Sequence, residues 1–328
     1  GPWSDRTRIL EKEGKQKLRP TKGVHIVFDK ERLPINNAVV CFHPIDGRVL
    51  FAIPWGDRTY VGTTDTDFTE DFGEVAATKD DVQYLLKVSN QYFPKVELKE
   101  EDVIATWAGV RPLLSSEGAE DESEVSREHV IFIEENGLVT IAGGKLTTYR
   151  RMAVEVIDKT IDWLRLTDKL PKLNKKRKDT AIEALPGGVG WPANDDFEAV
   201  AKQLLKKTKL KISKETAVLL VNTYGMCAFD ILKIMEEDSK LIEPIVDGRP
   251  EVLAQVYYAV TEELAERISD VLIRRTQIFY RDFNQGLDCV HRVADIMAEL
   301  LNWSEKTKQN AIEEYQSDVA RSRQWQNA

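Results

Sequence analysis

Two dipeptides constrain the fold of the first half of this chain more than any other feature. Asp46-Gly47 and Asn136-Gly137 each stand between short apolar, β-branched runs. A two-residue hairpin loop needs positive φ at both central residues, which Asp-Gly and Asn-Gly supply at little cost. The pattern predicts that "AVVCFHP" pairs with "RVLFAIPW", that "RTYVGTTD" returns after Gly56-Asp57, and that "HVIFIEE" pairs with "LVTIAGG". Strands joined this tightly are antiparallel, because a parallel pair needs a long crossover. One more strand is expected in "DVIATWAGVRPLL", closing at Arg111-Pro112, and another begins near His25 in "TKGVHIVFD".

Helical periodicity interrupts this strand pattern twice. "TKDDVQYLLKVSNQYF" starts on Thr78 with Asp81 three residues on, a capping-box spacing, and Pro94 lies at its end. Val82, Leu85, Leu86, Ser89 and Phe93 line one face. A second helix is expected from about Thr147, with Ala153, Val156, Ile157, Ile161 and Leu164 on one stripe. Past residue 188 strand signals vanish, and six amphipathic stretches joined by short links predict a helical bundle. The expected organisation is α+β: a mostly antiparallel sheet domain over 1–168, a linker over 169–188, and an all-helical domain over 189–328. The basic run Lys172 to Lys178 and the turn-rich "PGGVGWP" mark the linker.

Composition excludes several classes of function. A net charge of −9 opposes nucleic-acid binding, which a positive excess drives. The three cysteines and four histidines are scattered without metal-ligand spacing, so neither a disulfide framework nor a metal site is expected. No apolar run is read as long enough for a spanning helix.

Four features carry chemistry. In "IAGGKLTTYRR" a strand ends on Gly143-Gly144 and leads through Lys145, Leu146, Thr147 and Thr148 into a helix. Backbone without Cβ, a helix start and a cation together suit an anionic or flat ligand, although such a turn is also an ordinary way to begin a helix. Arg111 stands at a strand end before proline, and its planar fork suits phosphate or carboxylate. Arg127 follows the acidic run "EGAEDESEVS", which is expected to neutralise it. His25 is the candidate general base. The cluster "GTTDTDF" reads as a strand-end turn.

The stretches "GVHIVFD", "IPWGDRTYVGTTDTDF", "WAGVRPLL", "SREHVI" and "GLVTIAGGKLTTYRRMA" resemble, in order and spacing, the FAD-dependent glycerol-3-phosphate dehydrogenases. "DVLIRRTQIF" resembles that family's C-terminal helical domain, and even "GPWSD" is similar to one of its segments. The resemblance implies the substrate-side part of a D-amino-acid-oxidase-like flavoprotein. It also implies that the family's N-terminal flavin-binding segment, with its GxGxxG turn, lies outside this sequence.

By resemblance, residues Gly143, Gly144, Lys145, Leu146, Thr147 and Thr148 lie against the flavin of FAD. Arg111 holds the phosphate of glycerol 3-phosphate, with Lys145 or Arg127 assisting. His25 or Lys145 takes the C2 hydroxyl proton. The family further implies a quinone as electron acceptor and a cytoplasmic position peripheral to the inner membrane, and it leaves a homodimer open. The alternatives are an oxygen-using glycerophosphate oxidase, an amino-acid or 2-hydroxy-acid flavin oxidase, and a catalytically inactive substrate or interaction fragment. The last implies an apolar face left exposed along Ala153, Val156, Ile157 and Ile161.

Overall fold

The computed structural model describes residues 1–9, 17–114, 129–167 and 180–327. The chain divides into two compact units, Gly1–Thr180 with Gln324–Ala328, and Ala181–Arg323.

The first unit is built on a six-stranded antiparallel sheet. Its strands are β1 (Leu18–Asp29), β2 (Val39–Phe42), β3 (Val49–Trp55), β4 (Arg58–Gly62), β5 (Thr66–Asp67) and β6 (Val103–Leu114). The order runs β2-β3-β4-β1, with the two-residue β5 beside β4 on the same edge of β1 and β6 along its other edge. β1 is thus the centre of the sheet, and His25 sits in mid-strand rather than at a strand start. The meander expected around Asp46-Gly47 and Gly56-Asp57 is present, with Val39 opposite Ala52 and Phe51 opposite Gly62.

Alternation along each strand gives the sheet two different faces. Val24, Ile26 and Phe28 of β1 join Leu50, Ala52 and Val61 in a buried core against helix α2 (Lys79–Tyr92). From α2 come Val82, Leu85, Leu86 and Val88, each contributing roughly 1.5–3 kcal/mol when fully buried. The helix starts as the sequence predicts: Thr78 and Asp81 form a reciprocal capping box. Asp81 also accepts a 2.7 Å hydrogen bond from Lys22 Nζ, a contact the local spacing does not reveal. Trp325 packs into this same core, so the short turn Gln324–Asn327 belongs to the first unit and not to the helical one.

A short helix α1 (Ser4–Ile9) presents Asp5, whose carboxylate accepts the backbone N–H groups of Lys17 and Leu18 at 2.8 Å. The second hairpin, β7 (His129–Ile133) with β8 (Val139–Gly143), forms a separate two-stranded sheet. Helix α3 (Tyr149–Leu166) follows a 3-10 turn over Leu146–Thr148, so the α-helix begins two residues later than the sequence predicts. No residue of α3 is buried, and Ile157 of its apolar stripe is 51% exposed.

The second unit is helical. It contains α4 (Phe197–Lys207), α5 (Lys214–Tyr224), α6 (Ala228–Glu237), α7 (Leu253–Thr261), α8 (Ile278–Arg281), α9 (Val290–Leu301) and α10 (Glu305–Ser322). Side chains of Asp196, Ser213 and Ser304 cap α4, α5 and α10. Two expectations need correction. "DVLIRRTQIF" is not one helix but a π-helical turn over Asp270–Arg275 and the short α8, separated by Gln277 in the left-handed conformation. The Thr276 N–H reaches back five residues to the Val271 carbonyl, which defines the π register. The stretch Lys214–Glu237 is long and apolar enough, by length and composition, to cross a membrane. Here it is two helices bent at Gly225, whose φ is +57°, and Leu220, Val221, Ile231 and Met235 are buried in their shared core.

Candidate active site

The face of the sheet opposite α2 carries a row of residues in register across five strands: Val40, Phe51, Gly62, His25 and Trp107. Gly62 has no side chain, and His25 uses that space; a Cβ built there would collide with the imidazole. The ring stacks on Trp107, with centroids 4.9 Å apart and planes 23° from parallel, and meets Tyr60 edge-on. Trp55 adds edge contacts to both Tyr60 and Trp107. His25 Nδ1 is buried without a hydrogen-bond partner. Burial, and secondarily the charge of Arg111, lower its pKa from 6.5 to about 4. At neutral pH the imidazole is therefore uncharged and has a lone pair to accept a proton.

Arg111 enters the same face from β6, where it lies opposite Thr21. Its guanidinium crosses the position of Gly23; a Cβ there would lie 2.5 Å from Nη2. It ends in the segment after β4. Nη1 donates to Asp65 Oδ1 at 2.9 Å, Nη2 donates to Thr63 Oγ1 at 3.0 Å, and both reach the Thr64 carbonyl at 3.3 Å. "GTTDTDF" is thus more than a strand-end turn, because it holds the arginine fork in place. Clustered hydroxyls and carboxylates were the available signal, but nothing in the spacing pointed to Arg111.

The glycine turn adopts the conformation the sequence implies. Gly143 and Gly144 have φ of +77° and +80°, and Met152 closes behind Gly144, where a Cβ would lie 2.6 Å from its Sδ. Residues from Lys145 to Arg150 are exposed, Leu146 at 87%. The Thr148 hydroxyl turns back to the Lys145 carbonyl at 2.9 Å, and α3 has no side-chain N-cap bond. His129, which the sequence reading passed over, pairs with Gly143 in register and sits 2.7 Å from Glu155 Oε2. Arg151 donates to the other oxygen of Glu155, and these two partners hold that carboxyl below its ordinary pKa.

His25 and Arg111 thus meet on one sheet face. Among the described residues no hydrogen bond or ion pair ties Lys145 to either of them. Arg127, the acidic run before it and the basic run Lys172 to Lys178 lie outside the described residues. No group of His, Cys, Asp or Glu among the described residues has the geometry of a metal site.

The donor set fits the ring end of a flavin. A Cβ-free turn and an uncapped helix start offer N–H groups to ring oxygens. For the diphosphate of a dinucleotide the sequence holds no GxGxxG turn.

Comparison with known proteins gives the following similarities. Residues 1–150 match the family model described as FAD dependent oxidoreductase, and residues 179–308 match the C-terminal domain of alpha-glycerophosphate oxidase. The aerobic glycerol-3-phosphate dehydrogenase of Staphylococcus epidermidis (strain ATCC 35984) is 36% identical over 329 residues, covering 98% of this chain and 57% of that protein. The Staphylococcus aureus (strain USA300) protein of the same name is 35% identical over 333 residues, 100% of this chain and 58% of that one. The glycerol-3-phosphate dehydrogenase of Bacillus halodurans, solved complexed with FAD, superposes with a TM-score of 0.80 at 30% identity, over 98% of this chain and 61% of that one. The chain spans somewhat more than half the length of these relatives. Motif order, fold and similarity along nearly the whole chain converge: this chain is similar to somewhat more than half of the aerobic glycerol-3-phosphate dehydrogenases, through an FAD dependent oxidoreductase domain followed by a helical C-terminal domain.

Proposed function

We propose that this chain provides the substrate side of an enzyme that oxidises sn-glycerol 3-phosphate to dihydroxyacetone phosphate. The observation that carries the reading is the pairing of an oriented arginine with a neutral histidine on one open sheet face. Arg111 binds the phosphate, since its fork is already fixed and charge-assisted bonds to a dianion are strong. His25 accepts the C2 hydroxyl proton at its ring nitrogen. A bound dianion offsets the charge of Arg111, which is one of the two causes depressing the histidine, so substrate binding itself makes His25 a better base. Lys145 and the Gly143–Thr148 turn hold the flavin ring, and FAD, when bound, supplies the acceptor for the C2 hydride.

The electron acceptor we infer is a quinone, with the enzyme peripheral to the inner membrane; the aerobic relatives support this reading. A glycerophosphate oxidase is the second reading, favoured by the match of the helical unit to that enzyme's C-terminal domain. Oxygen electrode traces separate the two, because an oxidase forms peroxide stoichiometrically with turnover.

Two titrations test the proposal. Glycerol 3-phosphate added to the purified chain should give saturable heat that Arg111→Gln abolishes, while amino acids give none. FAD fluorescence should be quenched on adding the chain and less so with Lys145→Ala. Equal binding of glycerol 3-phosphate by the chain and by its Arg111→Gln variant would overturn the assignment of the phosphate site.

A further inference from the structure

Arg111 does not orient itself. A guanidinium has five N–H donors in one plane on a flexible stem with about 2 kcal/mol of rotamer entropy, so its aim depends on what holds the donors. Among the described residues, Thr63 and Thr64 offer it neutral oxygens and Asp65 offers a carboxylate, at 2.9 Å. The Asp65 side chain is only 12% exposed.

Asp65 is itself held from the other side. Arg48 Nη1 lies 3.6 Å from Asp65 Oδ2 and donates to the Asp65 backbone carbonyl. Arg48 in turn is held by Asp46, which accepts its backbone N–H at 3.1 Å and lies 4.0 Å from its Nε. The Asp46 carboxylate accepts from Tyr84 of α2 at 2.8 Å and sits 3.2 Å from His43 Nδ1. The charges alternate along this line, from Asp46 through Arg48 and Asp65 to Arg111. A cavity of about 280 Å³, lined by Asp46, Arg48, Asp65 and Tyr84 among others, runs beside it.

An isolated Asp65–Arg111 pair would be neutral and a poor partner for a dianion. With Arg48 on its far oxygen, Asp65 shares its charge between two guanidiniums, which leaves Arg111 the more cationic toward an incoming phosphate. We infer that Asp65, braced by Arg48, is a positioning residue that aims Arg111 at the substrate phosphate. The inference rests on the phosphate-binding reading of Arg111 given above.

The test is a double-mutant cycle in the FAD-loaded enzyme, with calorimetric binding of glycerol 3-phosphate to the oxidised protein read beside KM and kcat. Asp65→Asn should weaken binding and raise KM by about tenfold, a loss typical of one charge-assisted hydrogen bond, with kcat within about twofold. In an Arg111→Gln background the same substitution should add nothing, because its only route is through the arginine. Arg48→Gln, the second variant should Asp65→Asn fold poorly, should move KM in the same direction by less. A merely structural role would lower melting temperature and yield while leaving the KM of the folded enzyme unchanged, and that outcome overturns the inference. Additive losses in the double variant overturn it as well. Loss of binding in Arg111→Gln with none in Asp65→Asn removes only the role of Asp65. Retained binding in Arg111→Gln removes the phosphate reading and this inference together.

Discussion

The imidazole of His25 lies flat against the indole of Trp107, centroids 4.9 Å apart, with its Nδ1 buried and unbonded. This packing keeps the histidine neutral and couples the site to pH. The folded pKa, about 4, lies below the ordinary 6.5, so between those values the unfolded chain binds more protons than the folded one. The stability contribution is complete above pH 6.5 and is lost as pH falls through 6.5 toward 4. Its size is at most about 3 kcal/mol, from the width of that window. Urea unfolding of the first unit at pH 7 and pH 4.5 should show this loss, and His25→Gln should flatten it. An equally steep pH dependence in the variant would mean that other groups carry the titration.

Gly23 is the second test of the site's geometry. A Cβ at residue 23 would sit 2.5 Å from Arg111 Nη2 and 2.7 Å from Thr63 Oγ1. Gly23 pairs with Gly109 of β6 and is flanked by the residues of β1 that pair with β5 and β4, so the guanidinium moves before the strand does. Gly23→Ala should therefore cost about 1–3 kcal/mol of stability as an overpacking change and should weaken glycerol 3-phosphate binding at least as much as Asp65→Asn. Calorimetric binding and a thermal melt on the same sample check both halves.

The local rules of the sequence reach some of this structure and stop short of the rest for physical reasons. The Thr78–Asp81 cap and the existence of both hairpins are decided within a few residues and are readable directly. The loops, however, are not the expected two-residue turns: His43 bonds Arg48 and Glu134 bonds Leu138 across longer loops, and positive φ falls on Gly47 and Gly137 and not on Asp46 or Asn136. The aim of Arg111 is set by Asp65, 46 residues away, and no periodicity encodes a contact of that range. The π turn at Asp270–Arg275 hides for another reason: "DVLIRRTQIF" has an unbroken helical pattern, and the break comes from tertiary packing of Val271, Leu272 and Ile278. The apolar stripe of α3 is legible, and the exposure expected of Ile157 on the fragment reading is present, at 51%.

The buried pair Lys22–Asp81 makes a graded prediction. Asp81 serves three donors at once: Lys22 Nζ at 2.7 Å, the Thr78 hydroxyl at 2.7 Å and the Thr78 backbone N–H at 2.9 Å. Asp81→Ala removes the cap and strands a buried ammonium, so it should cost about 3–5 kcal/mol. Lys22→Met removes the cation but leaves Asp81 bonded to Thr78, and should cost clearly less. Chemical denaturation of the two single variants and the double variant gives the comparison. A larger loss for Lys22→Met would show that the ion pair, and not the cap, holds the start of α2.

Trp325 makes the last prediction. It is 3% exposed, near the end of the chain, and packs among residues of the sheet core such as Val82 and Leu85. An indole there fills volume that neither the sheet nor α2 supplies, and it follows the helical unit in sequence while belonging to the other unit in space. Trp325→Ala should destabilise the first unit by about 3–5 kcal/mol through lost burial and the cavity left behind. Trp325→Phe should recover part of that by refilling the space. Hydrogen exchange resolves where the loss falls: amides of β1 and α2 should exchange faster in the alanine variant, while those of α5 and α6 keep their protection. Unchanged exchange in β1 and α2 would mean that the terminal turn rests on the core without supporting it.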